Sequence, residues 1–261
     1  MSRRFAVLML PLLGGAFFAS PPNALARDVR ASAAASSQQV SCGAPGPAIW
    51  PVRSAPYGKS YEYWASAWWQ WAFSIPSPSS PLLDTTGESC MVGQQGRVWN
   101  LAGLPGAGAA TRQCDVPCDR ALFFPFFNAF NINVGDPPYA SDAELEQALV
   151  DFVDQITSVS VELDGTPLAV TNARIRPHFF MYALPGANIL KDFFGLTVPA
   201  GAYDSAVGDG YYMLLSPLPP GPHTLHFTAS GSFTGGEPEV LQDVTYELNV
   251  VPPPAIPPIL P

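Results

Sequence analysis

The clearest pattern of apolar positions lies in residues 60–75 and predicts an amphipathic helix. Its apolar side chains recur at i, i+3, i+4 and i+7, which places them on one face: Tyr61, Trp64, Ala65, Trp68, Trp71, Ala72 and Ile75. The pattern stops at Pro76, which has no N–H to continue the helical hydrogen bonds. At about 100° per residue, Trp69 and Phe73 fall off this face. We therefore expect the face to pack on a sheet and expect Trp69 and Phe73 to be exposed.

A second helix is predicted downstream, because Ser141 and Glu144 have the spacing of a capping box. One side of this helix is apolar and consists of Leu145, Ala148, Leu149, Phe152, Val153 and Ile156. The opposite side carries acidic and amide residues. We expect the apolar side to pack against the protein and the acidic side to face water.

After the second helix the pattern changes to alternation, which is typical of strands. Residues 158–163 alternate, Asp164 and Gly165 form a hairpin turn signal, and residues 167–171 can return beside the first strand. Further strands are predicted at 97–101, 121–127, 211–215, 223–228 and 244–250. Pro125 indicates an edge or a bulge. Strands and tight loops at this rhythm predict a mainly β fold, an antiparallel β-sandwich with two packed α-helices.

The first 26 residues predict an exported protein. Arg3 and Arg4 supply a short positive segment, residues 5–18 are apolar, and residues 24–26 read Ala-Leu-Ala, a typical cleavage pattern. We therefore interpret residues 1–26 as a signal peptide and expect an extracytoplasmic protein, either secreted or periplasmic. The paired arginines leave the route open between general secretory and twin-arginine export.

The remaining chain divides into three parts by composition. Residues 27–56 begin with an Ala- and Ser-rich run and are predicted to be a loosely ordered N-terminal arm. Residues 57–250 hold the predicted elements and form a single β-rich globular domain. Residues 251–261 are proline-rich and are predicted to be an extended tail.

Charge and motifs exclude several classes of function. The chain has 12 basic and 21 acidic residues, a formal net charge of −9, which argues against a nucleic-acid partner. No apolar stretch after residue 26 approaches the roughly 18 residues that a membrane-spanning helix needs. The chain also lacks a phosphate loop, a nucleophile elbow and a zinc-protease motif. We expect no cofactor, no metal and no integral membrane segment after signal cleavage.

The four cysteines are Cys42, Cys90, Cys114 and Cys118. An even number in an exported protein predicts two disulfide bonds, and the residues alone leave all three pairings open. An alternative is that Cys114 and Cys118 form half of a zinc site. A second Cys or His pair of suitable spacing is missing from the sequence, so disulfides are favoured.

The tryptophan-rich helix is the main candidate for function. Indole rings stack well on sugar rings, so Trp69 and Phe73, if exposed, are candidates for binding a glycan or a cell-surface partner. Asp209 is a further candidate ligand-binding residue. The alternative is that the aromatic residues are core. These observations favour a non-catalytic binding or structural module, with a structural component of envelope assembly as an alternative.

A different class of function is a secreted hydrolase that cleaves glycans with two carboxylates. Glu88, Asp204 and Asp209 lie in predicted loops where such a pair could form. The chain also has a small group of basic residues, Arg174, Arg176 and His178. These side chains either bind an anion together, or they alternate in direction along a strand and pair with acidic residues.

Several segments share a pattern with other sequences. Residues 57–61 read Y-G-x-x-Y, and residues 68–71 read W-W-x-W. Further matching segments are 84–90, 95–103, 112–117, 220–225 and 244–246. Together they resemble a family of uncharacterised secreted bacterial proteins with no established activity. The resemblance implies export, a β-rich domain and no particular reaction.

The same resemblance implies how the cysteines pair. It suggests a bond between Cys90 and Cys114, which leaves Cys42 with Cys118. Cys118 departs from the family pattern, because a small residue usually occupies that segment.

Overall fold

The computed structural model describes residues 42, 49–133, 140–232 and 239–253, with the side chain of Pro177 excepted. The predicted signal peptide, most of the predicted arm and most of the predicted tail lie outside these residues. The helices and strands, in chain order, are α1 (Tyr61–Ser74), β1 (Val98–Asn100), β2 (Ala109–Pro117), β3 (Ala121–Ile132), α2 (Asp142–Val153), β4 (Ile156–Leu163), β5 (Thr166–Pro167), β6 (Arg174–Leu184), α3 (Ile189–Asp192), β7 (Gly201–Leu215), β8 (Gly221–Gly231) and β9 (Glu239–Val251).

The strands form two sheets, which confirms the predicted mainly β sandwich. The four-stranded sheet has the order β1-β3-β7-β6, and the five-stranded sheet has the order β2-β9-β8-β4-β5. The sheets are mixed, however, because β1 runs parallel to β3 and β2 runs parallel to β9. The expectation of a strictly antiparallel sandwich was wrong. Strand β2 separates β1 from β3 along the chain and belongs to the other sheet, so β3 returns beside β1 in the same direction.

The core between the sheets is built from alternate side chains of their strands. Leu122 and Phe124 of β3 face the five-stranded sheet, where Phe124 stacks on Phe227 of β8 at 5.5 Å between ring centroids. Phe123 faces the other way and stacks on Tyr212 of β7 at 5.6 Å. Both faces of β3 are therefore covered, which explains its continuous apolar sequence. The register shifts after Pro125, as the sequence predicts for a bulge.

Helix α1 covers the outer face of the four-stranded sheet and makes a third layer. Its start agrees with the prediction, since the Ser60 side chain accepts a hydrogen bond from the Tyr63 N–H at 3.3 Å. Trp68 is fully buried and its indole N–H donates to the carbonyl of Leu101 at 2.9 Å. The predicted docking of this helix on a sheet is confirmed.

Helix α2 begins with the predicted capping box between Ser141 and Glu144. Of the predicted apolar side, Leu145, Leu149 and Val153 are buried, which confirms the main part of the packing prediction. The remaining members differ: Ala148 and Phe152 are exposed, and Ile156 is the first residue of β4. The helix ends at Val153, so the predicted helix was too long at its C-terminal end.

The hairpin predicted at Asp164 and Gly165 is present between β4 and β5. Both residues have positive φ, 52° and 72°, as a tight two-residue hairpin turn requires. The other predicted strands are also present: β3, β7, β8 and β9 are longer than predicted, whereas β1 is shorter, at Val98–Asn100.

The four cysteines form two disulfides, Cys42–Cys118 and Cys90–Cys114. This is the pairing that the family resemblance implies, and it leaves neither Cys114 nor Cys118 for a zinc site. Among the described residues, no helix has both the length and the apolar character needed to cross a membrane.

Candidate functional site

A cavity of about 570 Å³ opens beside the second half of β3. This volume falls within the roughly 300–1,000 Å³ of typical small-ligand sites. Aromatic side chains dominate its inner wall and its rim: Trp69, Phe73, Phe130, Phe152 and Phe194. The cavity is therefore a candidate ligand site in the described part of the chain.

The inner wall is fixed by aromatic contacts around Trp69. Its indole stacks on Phe73 at 5.3 Å and meets Phe130 edge-on at 5.0 Å between ring centroids. The indole N–H donates to the hydroxyl of Tyr212 at 3.2 Å, so the ring cannot rotate without losing this bond. Such a wall is preformed for an apolar ligand.

The expectation that Trp69 and Phe73 are exposed was wrong. Trp69 is 4% exposed and Phe73 is 1% exposed. Helical periodicity identifies the main packed face of α1, but α1 also packs on β6, where Phe180 and Tyr182 contact Phe73. The side of α1 that was expected to face water is therefore covered. Both residues nevertheless line the cavity, so they remain candidate ligand-binding residues in a buried rather than an exposed setting.

The rim is held by a buried amide that the sequence analysis did not single out. Asn188 is 1% exposed and caps α3. Its side-chain N–H groups donate to the carbonyls of Pro185 at 3.1 Å and Val198 at 3.3 Å, which closes the segment into a compact loop. This loop presents Phe194 and Leu196 at the cavity, and both are substantially exposed.

Three amide side chains supply the polar part of the lining. The side-chain amide of Gln242 is already hydrogen-bonded to the protein. Its oxygen accepts the Leu104 N–H at 2.7 Å, and its N–H group donates to the Leu104 carbonyl at 3.1 Å. Asn128 donates to the Tyr212 hydroxyl at 3.5 Å, and Asn131 donates to the Leu145 carbonyl at 2.9 Å.

These bonds leave the side-chain oxygens of Asn128 and Asn131 without a donor from the described residues. Both residues lie on β3, and both line the cavity. Among the described residues of the lining, no side chain carries a charge. Among the described side chains of the lining, the amide oxygens of Asn128 and Asn131 can accept further hydrogen bonds, and the other side chains are apolar or already hydrogen-bonded.

Asp209 does not lie in a loop, and it does not reach the cavity. It lies in the middle of β7, is fully buried, and binds Arg174 through both carboxylate oxygens, at 2.9 Å to Nε and 2.7 Å to Nη2. Hydrogen bonds to Asp209 and to Asp154 raise the pKa of Arg174 above its usual range, against the effect of burial. Asp209 therefore acts as the counter-ion of a buried arginine, and the predicted pairing of the basic group with acids is confirmed for Arg174.

Two of the three carboxylates proposed for a hydrolase, Asp204 and Asp209, do not form a pair. Asp204 and Asp209 lie on the same strand five residues apart, roughly 17 Å at the rise of a β-strand. Glycosidases need two carboxyl groups within about 10 Å of each other. Glu88 is exposed in the turn before Cys90, which is bonded to β2 of the other sheet. None of the three lines the cavity.

His178 is a partly buried histidine on β6. The Nε2 atom of His178 is buried and has no hydrogen-bond partner among the described residues, while Nδ1 lies 3.2 Å from the carbonyl of Arg176. Burial lowers the pKa of His178, although the nearby charges of Asp209 and Glu62 act in the opposite direction. The fold therefore disfavours the protonated imidazole.

The chain was compared with protein-family models, with curated proteins and with solved structures, and none of these comparisons gave a significant match. The resemblance based on residues 57–61 and 68–71 therefore stays a prediction.

Proposed function

We propose that the protein is an exported, non-catalytic binding module that holds an apolar ligand in the cavity beside β3. The observation that carries the proposal is the preformed aromatic wall of Trp69 and Phe73 in a cavity of about 570 Å³ whose described lining residues are all uncharged. Export is supported by the signal-peptide pattern of residues 1–26 and by two disulfides, which are typical of oxidising compartments.

The environment of the aromatic residues favours an apolar ligand over the predicted glycan. Sugar rings bind to exposed aromatic faces with many free polar partners around them, whereas Trp69 and Phe73 are almost completely covered. Burial of each CH₂ group contributes about 0.8 kcal/mol, so a ten-carbon chain supplies roughly 8 kcal/mol before the cost of association. After the lower end of that cost, about 4 kcal/mol, roughly 4 kcal/mol remains, which corresponds to a dissociation constant of about 1 mM.

The same lining supports a binding role rather than catalysis. General acid–base and nucleophilic catalysis require an ionisable or nucleophilic side chain next to the reacting atoms. The described residues of the lining offer aromatic, aliphatic and amide groups only. They can hold a ligand but supply no proton donor or nucleophile to transform it.

The test is a titration of the oxidised protein with N-phenyl-1-naphthylamine, a neutral apolar fluorophore. We expect saturable binding at one site, with energy transfer from the tryptophans to the probe. The variant Ala148→Trp fills the cavity from the exposed face of α2, so we expect it to weaken probe binding at least about tenfold.

The matched control is Ala143→Trp, which places the same side chain on an exposed part of α2 away from the cavity. We expect this variant to bind the probe like the wild type. Equal binding by both variants, or no saturable binding by the wild type, would contradict the proposal. A soluble oligosaccharide mixture is added in a parallel titration, and displacement of the probe by it would favour the glycan prediction instead.

A further inference from the structure

The cavity runs along an unpaired edge of a β-strand. Strand β7 pairs with β3 as far as Ile132, but on the opposite side β1 pairs with β3 only as far as Phe123. Residues 127–131 form no main-chain hydrogen bond with any described residue on the side away from β7. All five of these residues line the cavity.

This edge carries a regular set of donors and acceptors. In an antiparallel strand, one residue directs both its N–H and its C=O toward one edge, and the next residue directs both groups toward the opposite edge. The edge of residues 127–131 therefore offers main-chain groups that repeat about every 7 Å. Unpaired main-chain groups in apolar surroundings are costly, and an extended polypeptide has the same repeat with the complementary groups.

The two walls beside this edge indicate which side chains an added strand would carry. On one face of the sheet Phe130 packs with Trp69 of α1, and on the other face Ala129 packs with Leu149 of α2. Side chains of an added strand alternate between these faces, so each of them meets an apolar wall. The uncharged lining disfavours a charged residue at any of these positions.

We infer that the ligand of this site is an extended, uncharged and apolar peptide segment that pairs with the free edge of β3 as an added strand. The inference rests on the proposed function and specifies the class of ligand. Residues 127–131 set the length of the paired part to about five residues, roughly 17 Å. The free side-chain oxygens of Asn128 and Asn131 accept further hydrogen bonds at the same edge.

The test uses an acetylated and amidated peptide with a five-residue core of valine and isoleucine, flanked by Gly-Lys at each end for solubility. Its control has the same sequence with every core amide N-methylated, which keeps the apolar side chains but removes the N–H donors. We expect the parent peptide to displace N-phenyl-1-naphthylamine at a concentration at least about tenfold lower than the control, because several main-chain hydrogen bonds are lost in the control.

Amide hydrogen exchange gives a second, independent measurement. We expect the parent peptide to slow exchange of the outward-pointing main-chain amides within residues 127–131, and we expect the N-methylated control to leave them unchanged. Equal displacement by both peptides, or no slowing of exchange, would overturn strand addition. Probe binding that neither peptide displaces would overturn the inference while the proposed function stands, whereas the absence of probe binding would overturn the proposed function itself.

Discussion

At the scale of single residues, the buried ion pair between Asp209 and Arg174 is expected to control stability rather than binding. Asp209→Asn leaves Arg174 with only the exposed Asp154 as a carboxylate partner. Breaking one side of a buried pair costs about 3 kcal/mol or more, so we expect a loss of this size in the free energy of unfolding measured with urea. The control Asp154→Asn removes the exposed partner and is expected to cost clearly less than Asp209→Asn. Equal losses would contradict this assignment.

His178 is expected to make the protein less stable in mild acid. Burial holds the pKa of His178 below its usual 6.5, so as the pH falls through this value the unfolded chain takes up a proton more readily than the folded chain. The free energy of unfolding therefore falls as the pH falls through this value. Asp209 of β7 and Glu62 of α1 are the charged groups that act on His178, and both limit the effect.

The variant His178→Gln has no proton to gain, so its free energy of unfolding should depend less steeply on pH around the same value. Urea unfolding at several pH values measures both proteins. His223 and His226 are present in both, so the difference between the two curves isolates His178. Parallel curves would show that the fold does not disfavour protonation of the histidine.

At the scale of the elements, the close approach of β3 and β7 depends on a glycine. A methyl group at Gly210 would lie 2.5 Å from the carbonyl oxygen of Phe127 and 2.6 Å from the Cα of Asn128. Gly210→Ala must therefore push the strands apart, and we expect a loss of about 1–3 kcal/mol together with weaker probe binding. A Cβ atom at Gly186 would have no neighbouring atom within 4 Å. The control Gly186→Ala is therefore expected to change the free energy of unfolding by less than about 0.5 kcal/mol. A Gly210→Ala variant as stable as this control would contradict the packing argument.

The sequence predicts those elements whose signals are local. The capping box at Ser141 and Glu144 and the hairpin at Asp164 and Gly165 depend on neighbouring residues only, and the structure contains both. Gly210 shows the limit of such signals. The pair Asp209-Gly210 is typical of a turn, but Gly210 lies within β7, where the lack of a side chain allows close contact with β3.

Strand β2 was not predicted, because an arginine occupies one of its buried positions. Arg112 is 1% exposed, and it donates to the carbonyls of Asp84 and Gly103 and to the hydroxyl of Tyr246. Burial of a charged side chain interrupts the apolar alternation that identifies a strand. The hydrogen-bond acceptors of Arg112 are distant in sequence. No local sequence pattern therefore predicts that its guanidinium will be fully hydrogen-bonded.

At the scale of the whole molecule, the cavity results from topology. It forms because β1 covers only the first three residues of β3, which leaves the later part of β3 between α1 and α2. The side chains that line it come from segments as far apart as Trp69 and Gln242. A sequence pattern could mark Trp69 and Phe73 as unusual, but the cavity beside them depends on contacts across the whole chain.

The disulfides offer a way to separate stability from binding in the complete molecule. Cys90 and Cys114 are 24 residues apart, and a loop of this length predicts a loss of about 3.5 kcal/mol when both are replaced by serine. The bond lies in the core between the sheets, and neither cysteine lines the cavity. We therefore expect urea unfolding to show the loss while the dissociation constant of N-phenyl-1-naphthylamine changes less than about twofold at temperatures where the variant is folded. A large loss of binding in a folded variant would mean that the turn at residues 84–90 helps to shape the cavity.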